Sequence, residues 1–284
     1  MEVILGKFSG FCAGVYNAVT KAYEIVEKEE NVYSLGELVH NKQVVGKLEG
    51  QGMKTVENIE EIPDGSNVII RAHGVAKRVY ERAKEKNLNI EDLTCVKVKK
   101  IHDKVEEKSK NAFIIVIGEK GHAETIGTQG FAGDYSYVIQ DESDILDAYM
   151  KYEEKSIGEV FVVAQTTFSS TKFDELIKEI EDNFAEANVT VDKTICDATE
   201  LRQKEAADIS KMVNKMVVIG GKNSANTVKL VEIAQKDVKD VYHIQTLDDL
   251  KEVSFSSDDK VGLLAGASTP REIINEVKEY LENL

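Results

Sequence analysis

Short, nearly unbroken apolar runs recur along the chain, each followed by a small polar turn and then by a stretch with apolar residues at helical spacing. The runs include Val68 to Ile70, Phe113 to Ile117, Val160 to Val163, Met216 to Ile219 and Val261 to Leu264. Runs this short and continuous predict strands covered on both faces, as in a parallel sheet. Their alternation with amphipathic helices predicts an α/β fold. Three of the helical faces are Val15, Ala18, Val19, Ala22 and Val26; Val98, Ile101 and Val105; and Leu201, Ile209 and Val213.

The turns that follow the strands read RAHGVAKR, GEKGHAETIG, AQTTFSSTKF, GGKNSANTVKL and AGASTPREI. In open α/β sheets the loops beyond the carboxyl ends of the strands form the ligand crevice. Small residues there let backbone N–H groups approach an anion, and hydroxyls and helix starts add further donors. The same residues also serve as caps and tight turns, and neither GGKNSANT nor AGASTPRE matches a Walker or dinucleotide fingerprint. Three histidines, His40, His73 and His122, lie in such loops, where an imidazole can donate to phosphate oxygens. His102 and His243 stand in helix-like and strand-like surroundings and read as structural or surface residues. Glu124, close to His122, has the chemistry to move a proton if it is held near a ligand, although a lone glutamate is usually a solvated charge.

Composition narrows the partners. With 51 acidic against 36 basic residues, the formal net charge of −15 argues against nucleic-acid binding and against docking on anionic membranes. A length of 284 residues predicts more than one lobe, and no low-complexity linker separates them. The cysteines, Cys12, Cys95 and Cys196, are odd in number, and the N-terminus lacks the apolar stretch of a secretory leader. A disulfide framework is therefore disfavoured and a reducing, cytoplasmic setting expected. Each cysteine stands where a short apolar run gives way to an amphipathic helix. Helix starts favour thiolate over thiol, so the repeated placement suggests three ligands converging on one centre. Zinc held by these cysteines and a histidine remains open, although CxxC-like spacing is absent.

GFCAGV, LVHNKQVV, RAHGV, LTC, GHAETIGT, AQTT, ICDAT followed by RQ, GGKNSAN and AGAST stand in the order found in the 4-hydroxy-3-methylbut-2-enyl diphosphate reductases, and the chain resembles that family from about Gly10 to about Glu272. The resemblance implies a trefoil-like arrangement of three α/β lobes with mostly parallel sheets around a central 4Fe-4S cluster. The lobes are expected over 1–94 completed by 271–284, over 95–193 and over 194–270. Cys12, Cys95 and Cys196 would hold the cluster, leaving one iron open. His40, His73, His122, Ser224, Asn226 and Ser268 would contact the diphosphate, Thr166 would orient the substrate hydroxyl, and Glu124 would be the proton source.

The implied reaction is a two-electron, two-proton removal of an allylic hydroxyl that yields isopentenyl diphosphate and dimethylallyl diphosphate, the last step of the non-mevalonate isoprenoid pathway. Electrons would come from a ferredoxin or flavodoxin, with KVKKIHDK from Lys97 to Lys104 as a candidate docking patch or simply a solvated helix face. The chain departs from the family pattern at Leu93 for alanine, at Val96 and Ala123 for prolines, and at Ala225 for a serine. The last change touches substrate recognition and leaves room for a paralogue that reduces another small phosphorylated substrate. A non-catalytic iron-sulfur metabolite sensor is the remaining alternative.

Overall fold

In the computed structural model of the protein, which describes residues 1–155 and 158–284, β1 (Glu2–Leu5) leads into α1 (Ala13–Lys28). There follow β2 (Val32–Leu35), α2 (Lys42–Gly50), β3 (Lys54–Val56), β4 (Asn67–Ile70), α3 (Lys77–Glu85), β5 (Asn89–Asp92) and α4 (Val96–Lys108). The next stretch holds β6 (Phe113–Ile117), α5 (Ala123–Ala132), β7 (Ser136–Ile139), α6 (Ile145–Lys155), β8 (Glu159–Ala164), α7 (Ser170–Asn183), β9 (Asn188–Val191) and α8 (Asp197–Ser210). The last holds β10 (Lys215–Ile219), α9 (Ala225–Ala234), β11 (Asp240–Ile244), β12 (Lys260–Ala265) and α10 (Arg271–Glu282).

The strands form three parallel four-stranded sheets with the orders β3-β2-β4-β5, β7-β6-β8-β9 and β11-β10-β12-β1. The order is the same each time: the first strand of the set is inner, the second flanks it, the third lies on its other side and the fourth closes the edge. In the last sheet the fourth place is taken by β1, in register with β12 from Glu2 against Lys260 to Leu5 against Leu263. Residues 1–94, expected as one lobe, thus supply strands to two sheets. The chain divides into two compact units, residues 1–19, 39–47 and 197–284, which contain the sheet closed by β1, and residues 20–38 and 48–196, which contain the other two.

The five apolar runs are inner strands, and the burial of β6, all five residues of FIIVI, shows why they are continuous. Alternate side chains point to opposite faces and both faces are covered. In the β6–β8 sheet, Phe113, Ile115, Ile117, Val160 and Val162 pack with Leu176, Ile180 and Phe184 on one side. Ile114, Val116, Phe161 and Val163 meet Ile101 and Val105 of α4 on the other. The sheet closed by β1 repeats the plan, with Val217, Val261 and Leu263 against Ile274, Val277 and Leu281 of α10, and Met216, Val218 and Leu264 against Ala206, Ile209 and Leu230. Each fully buried Leu, Ile or Phe contributes roughly 1.5–3 kcal/mol relative to exposure.

One helical face differs from its expectation. Leu201 of α8 is 44 % exposed, and Arg202, Gln203 and Ala206 take inner positions beside the expected Ile209. Arg202 takes an inner place because the Gly10 and Ala198 carbonyls there accept from its guanidinium.

Candidate active site

All three cysteines are half-buried and outside any disulfide among the described residues, and each sits at a helix start. Cys12 precedes α1 and its Sγ accepts the Val15 N–H at 3.5 Å, Cys95 is the N-cap of α4, and Cys196 immediately precedes α8. Each follows the fourth strand of its sheet, and each backbone N–H is held by the turn after the third strand. Cys12 donates to the Ala267 carbonyl at 3.2 Å, Cys95 to Ala72 at 2.9 Å and Cys196 to Thr166 at 2.9 Å. Accessible thiols without disulfide partners, placed at positive helix ends, are a donor set suited to a thiolate-ligated metal cluster. Those turns carry three further candidates, His73, Thr166 and Ser268.

In the unit of residues 20–38 and 48–196, six candidates form a connected chain. Cys196 is tied to Thr166 as described. The Thr166 N–H donates to Glu124 Oε1 at 2.6 Å and its hydroxyl to Oε2 at 2.7 Å. Glu124 is only 2 % exposed and Thr166 8 %. Burial pushes the Glu124 carboxyl up to about 7, against the lowering pull of the two Thr166 bonds, so the proton is shared near neutrality. Glu124 is therefore an enclosed acid and not the solvated charge that a lone glutamate usually is.

His122 caps α5, its Nδ1 accepting the Glu124 N–H at 3.1 Å. An accepting Nδ1 places the neutral ring's proton on Nε2, which makes that nitrogen a donor. The His73 ring meets it edge to face, with centroids 5.5 Å apart, and the Ala72 carbonyl beside His73 holds Cys95.

The His73 turn rests on His102, which stacks on Phe131 at 4.4 Å and which burial pushes down to about 4, leaving it neutral. Gly74 adopts φ +75°, and a Cβ there would stand 2.7 Å from His102 Cε1, so both the turn and the ring's approach require glycine. The structural reading of His102 matches its placement inside α4.

In the unit of residues 1–19, 39–47 and 197–284, the remaining candidates gather around the turns after β10 and β12. Ser224 caps α9, its Oγ accepting the Thr227 N–H at 3.4 Å, so its hydroxyl hydrogen can be given to a ligand. Asn226 is 4 % exposed, and neither atom of its side-chain amide has a hydrogen-bond partner among the described residues. A buried amide left without partners costs about 1–3 kcal/mol per unsatisfied group, which marks Asn226 as shaped for a ligand. Ser268 donates its hydroxyl to the His40 carbonyl at 3.1 Å, so it positions His40 in this state. The next residue, Asn41, caps α2 by accepting the Gln43 and Val44 N–H groups. A Cβ on Gly221 would stand 2.6 Å from the His40 carbonyl, so only glycine allows the GGK turn to pack there.

Some functional neighbours carried no assignment at the sequence level. Gln165, inside the AQTT motif, is 2 % exposed; its Oε1 accepts from the Glu119 N–H and the Thr125 hydroxyl while its Nε2 donates to Thr167, joining the turns after β6 and β8. The proposed basic patch is weaker than its sequence suggests, because Lys99 pairs with Asp92 at 2.8 Å and Lys104 with Asp192 at 2.6 Å. Among the described residues no helix is long and apolar enough to cross a membrane.

With this geometry in place, the chain's likeness to known proteins is specific. The profile of the LytB protein family matches residues 3–282. A 4-hydroxy-3-methylbut-2-enyl diphosphate reductase of Clostridioides difficile is 40 % identical over 286 residues, covering all of both chains. The solved structure of the E-1-hydroxy-2-methyl-but-2-enyl-4-diphosphate reductase from Plasmodium falciparum superposes with a TM-score of 0.88 at 30 % identity, covering 99 % of this chain and 88 % of that one. A second solved structure, of (E)-4-hydroxy-3-methyl-but-2-enyl diphosphate reductase, gives 0.70 at 36 % identity with both chains fully covered.

Proposed function

The chain belongs to the LytB protein family, and we propose that it removes the allylic hydroxyl of (E)-4-hydroxy-3-methylbut-2-enyl diphosphate, releasing isopentenyl diphosphate and dimethylallyl diphosphate. It is an oxidoreductase of the diphosphate reductase type found in the non-mevalonate route to isoprenoids. The observation that carries the finer reading is the buried Glu124–Thr166 pair, joined through the Thr166 carbonyl to Cys196.

Cys12, Cys95 and Cys196 would hold a 4Fe-4S cluster, whose chemistry when bound is to pass two electrons and to offer one open iron as a Lewis acid. The protein's own groups account for binding and protons. Ser224, Asn226 and the three histidines supply donors for the diphosphate, and Asn226 exchanges an unsatisfied amide for ligand hydrogen bonds. Ser268 holds His40 through its carbonyl.

Thr166 and Glu124 handle the proton. With Glu124 protonated, its O–H donates to the Thr166 oxygen, and the Thr166 hydroxyl hydrogen is released to point at a substrate hydroxyl. Proton transfer along this pair lets the allylic oxygen leave as water while the two electrons and a second proton complete the carbon skeleton. Burial near a pKa of about 7 suits Glu124 to give a proton at neutral pH and to recover it afterwards.

Electrons come from an external donor, a ferredoxin or flavodoxin, since no flavin or nicotinamide fingerprint is present in the sequence. The neutralised lysines of α4 limit its contribution to docking an acidic partner, and charge reversal at Lys99 and Lys100 tests it by the protein-donor rate.

The decisive assay is anaerobic turnover with the allylic diphosphate, its monophosphate and its free alcohol, alongside a visible spectrum of the purified protein. A brown protein that strongly prefers the diphosphate supports the reading. A colourless zinc protein, or equal rates on all three compounds, refutes it.

A further inference from the structure

The RQ that follows ICDAT has no part in substrate or proton chemistry, yet its arginine is buried. The three cysteine loops differ in length: residues 93–94 lie between β5 and Cys95 and residues 192–195 between β9 and Cys196, but residues 6–11 lie between β1 and Cys12. The shorter two are fastened by their own sheets. Leu93 N–H donates to Ile70 and Thr94 N–H to Asp92, while Asp192 N–H donates to Val162 and Thr194 Oγ1 accepts from the Ala164 N–H. The Cys12 loop repeats two of these ties, the Gly6 N–H donating to Leu263 at 2.9 Å and Ser9 Oγ accepting the Ala265 N–H at 3.1 Å, but it has four more residues to hold than the Cys95 loop. It also contains Gly6 and a left-handed Gly10 at φ +102°, so it starts from greater conformational freedom.

Helix α8 fastens the extra length of this loop. Glu205 accepts the Lys7 N–H at 2.6 Å and the Phe8 N–H at 3.1 Å, one on each carboxylate oxygen. One turn earlier, Arg202, 6 % exposed, donates from Nη2 to the Gly10 carbonyl at 2.7 Å and from Nη1 to Ala198 at 2.8 Å within its own helix. Enclosing a guanidinium is costly unless it satisfies specific groups, and one of the groups it satisfies lies two residues before Cys12. The Arg202 contacts occupy the inner face where helical periodicity had placed Leu201, while those of Glu205 lie at its exposed margin.

We propose that Arg202 and Glu205 are positioning residues that hold the Cys12 loop in place, so that the helix beginning next to Cys196 also sets the position of the Cys12 sulfur. The consequence for metal binding rests on reading Cys12 as a ligand; the clamp itself does not.

The test uses the full chain freed of metal. Alkylation of each cysteine by iodoacetamide is timed by mass spectrometry in the parent, Arg202→Gln, Arg202→Lys and Glu205→Gln. Loss of a charged hydrogen bond is expected to raise Cys12 labelling about tenfold in Arg202→Gln. Arg202→Lys should show a smaller rise, and Cys95 and Cys196 should stay close to the parent in all variants. Unchanged Cys12 labelling, or a parallel rise at all three thiols, overturns the proposal. If Arg202→Gln does not fold, Glu205→Gln carries the same prediction.

A second measurement, iron release to a chelator from the reconstituted protein, separates the two readings. Faster release with selective Cys12 exposure supports both. Selective exposure with unchanged release keeps the clamp and removes Cys12 from the ligand set.

Discussion

The turns after β6 and β10 occupy the same place in two sheets of identical order and end in four residues that share their alanine and threonine. One reads His122, Ala123, Glu124, Thr125 and the other Ser224, Ala225, Asn226, Thr227. In each, the first residue caps the helix, the third is a buried polar side chain, and the fourth packs against the glycine that directly follows the strand and opens the turn, Gly118 or Gly220. The difference lies across the sheet. The turn after β8 brings Thr166 to Glu124 with both its N–H and its hydroxyl, whereas the turn after β12 sends the Ser268 hydroxyl to the His40 carbonyl and leaves the Asn226 side-chain amide without a hydrogen-bond partner among the described residues. One scaffold thus builds an enclosed acid with an internal relay in one place and an amide held open for a ligand in the other.

The largest test of that contrast is Glu124→Gln. It keeps the shape and removes the proton, so kcat is expected to fall by about 100-fold or more with little change in KM. Near-parent turnover, measured at saturating substrate, would break the assignment. Asn226→Ala should act on the other side of the ledger, raising the KM for the diphosphate by about ten- to hundredfold while kcat holds. Equal losses in kcat for the two variants would erase the division between acid and anion holder.

pH sharpens it further. A proton donor must start protonated, so kcat/KM should decline as pH rises through about 7, and this limb should vanish in the residual activity of Glu124→Gln. Stability follows the same group. Its folded value is raised above the ordinary 4.5, so the native state holds the proton more tightly; the contribution is complete below about 4.5 and is lost as pH rises to about 7. Denaturation midpoints of Glu124→Gln should therefore lack the decline that the parent shows across that interval. The smallest effect is expected from Ala225→Ser, which restores a hydroxyl at a buried position beside Asn226. Diphosphate affinity should tighten by no more than about tenfold, read as KM.

How much of this was legible beforehand varies by element. Five inner strands announced themselves because burial on both faces demands unbroken apolar runs. The sixth, β2, reads VYSL with an enclosed Ser34 whose hydroxyl is satisfied by the Gly36 carbonyl, so it escaped that rule. The edge strands NIED and NVTV alternate with exposed polar residues and resemble loops. Glu124 stood out by its place near His122 and Thr166 by resemblance, but their mutual bonds join positions far apart in the chain.

By itself, the sequence determined the α/β class, the helix starts at the cysteines and the polar turns after the strands, because these depend on local periodicity and capping. Tertiary structure alone decided that β1 closes the last sheet, that Arg202 rather than Leu201 faces inward, and that Glu124 is enclosed with a proton near neutrality. Those outcomes depend on which backbone groups and which solvent each side chain meets after the chain has folded, and such encounters have no counterpart in linear order.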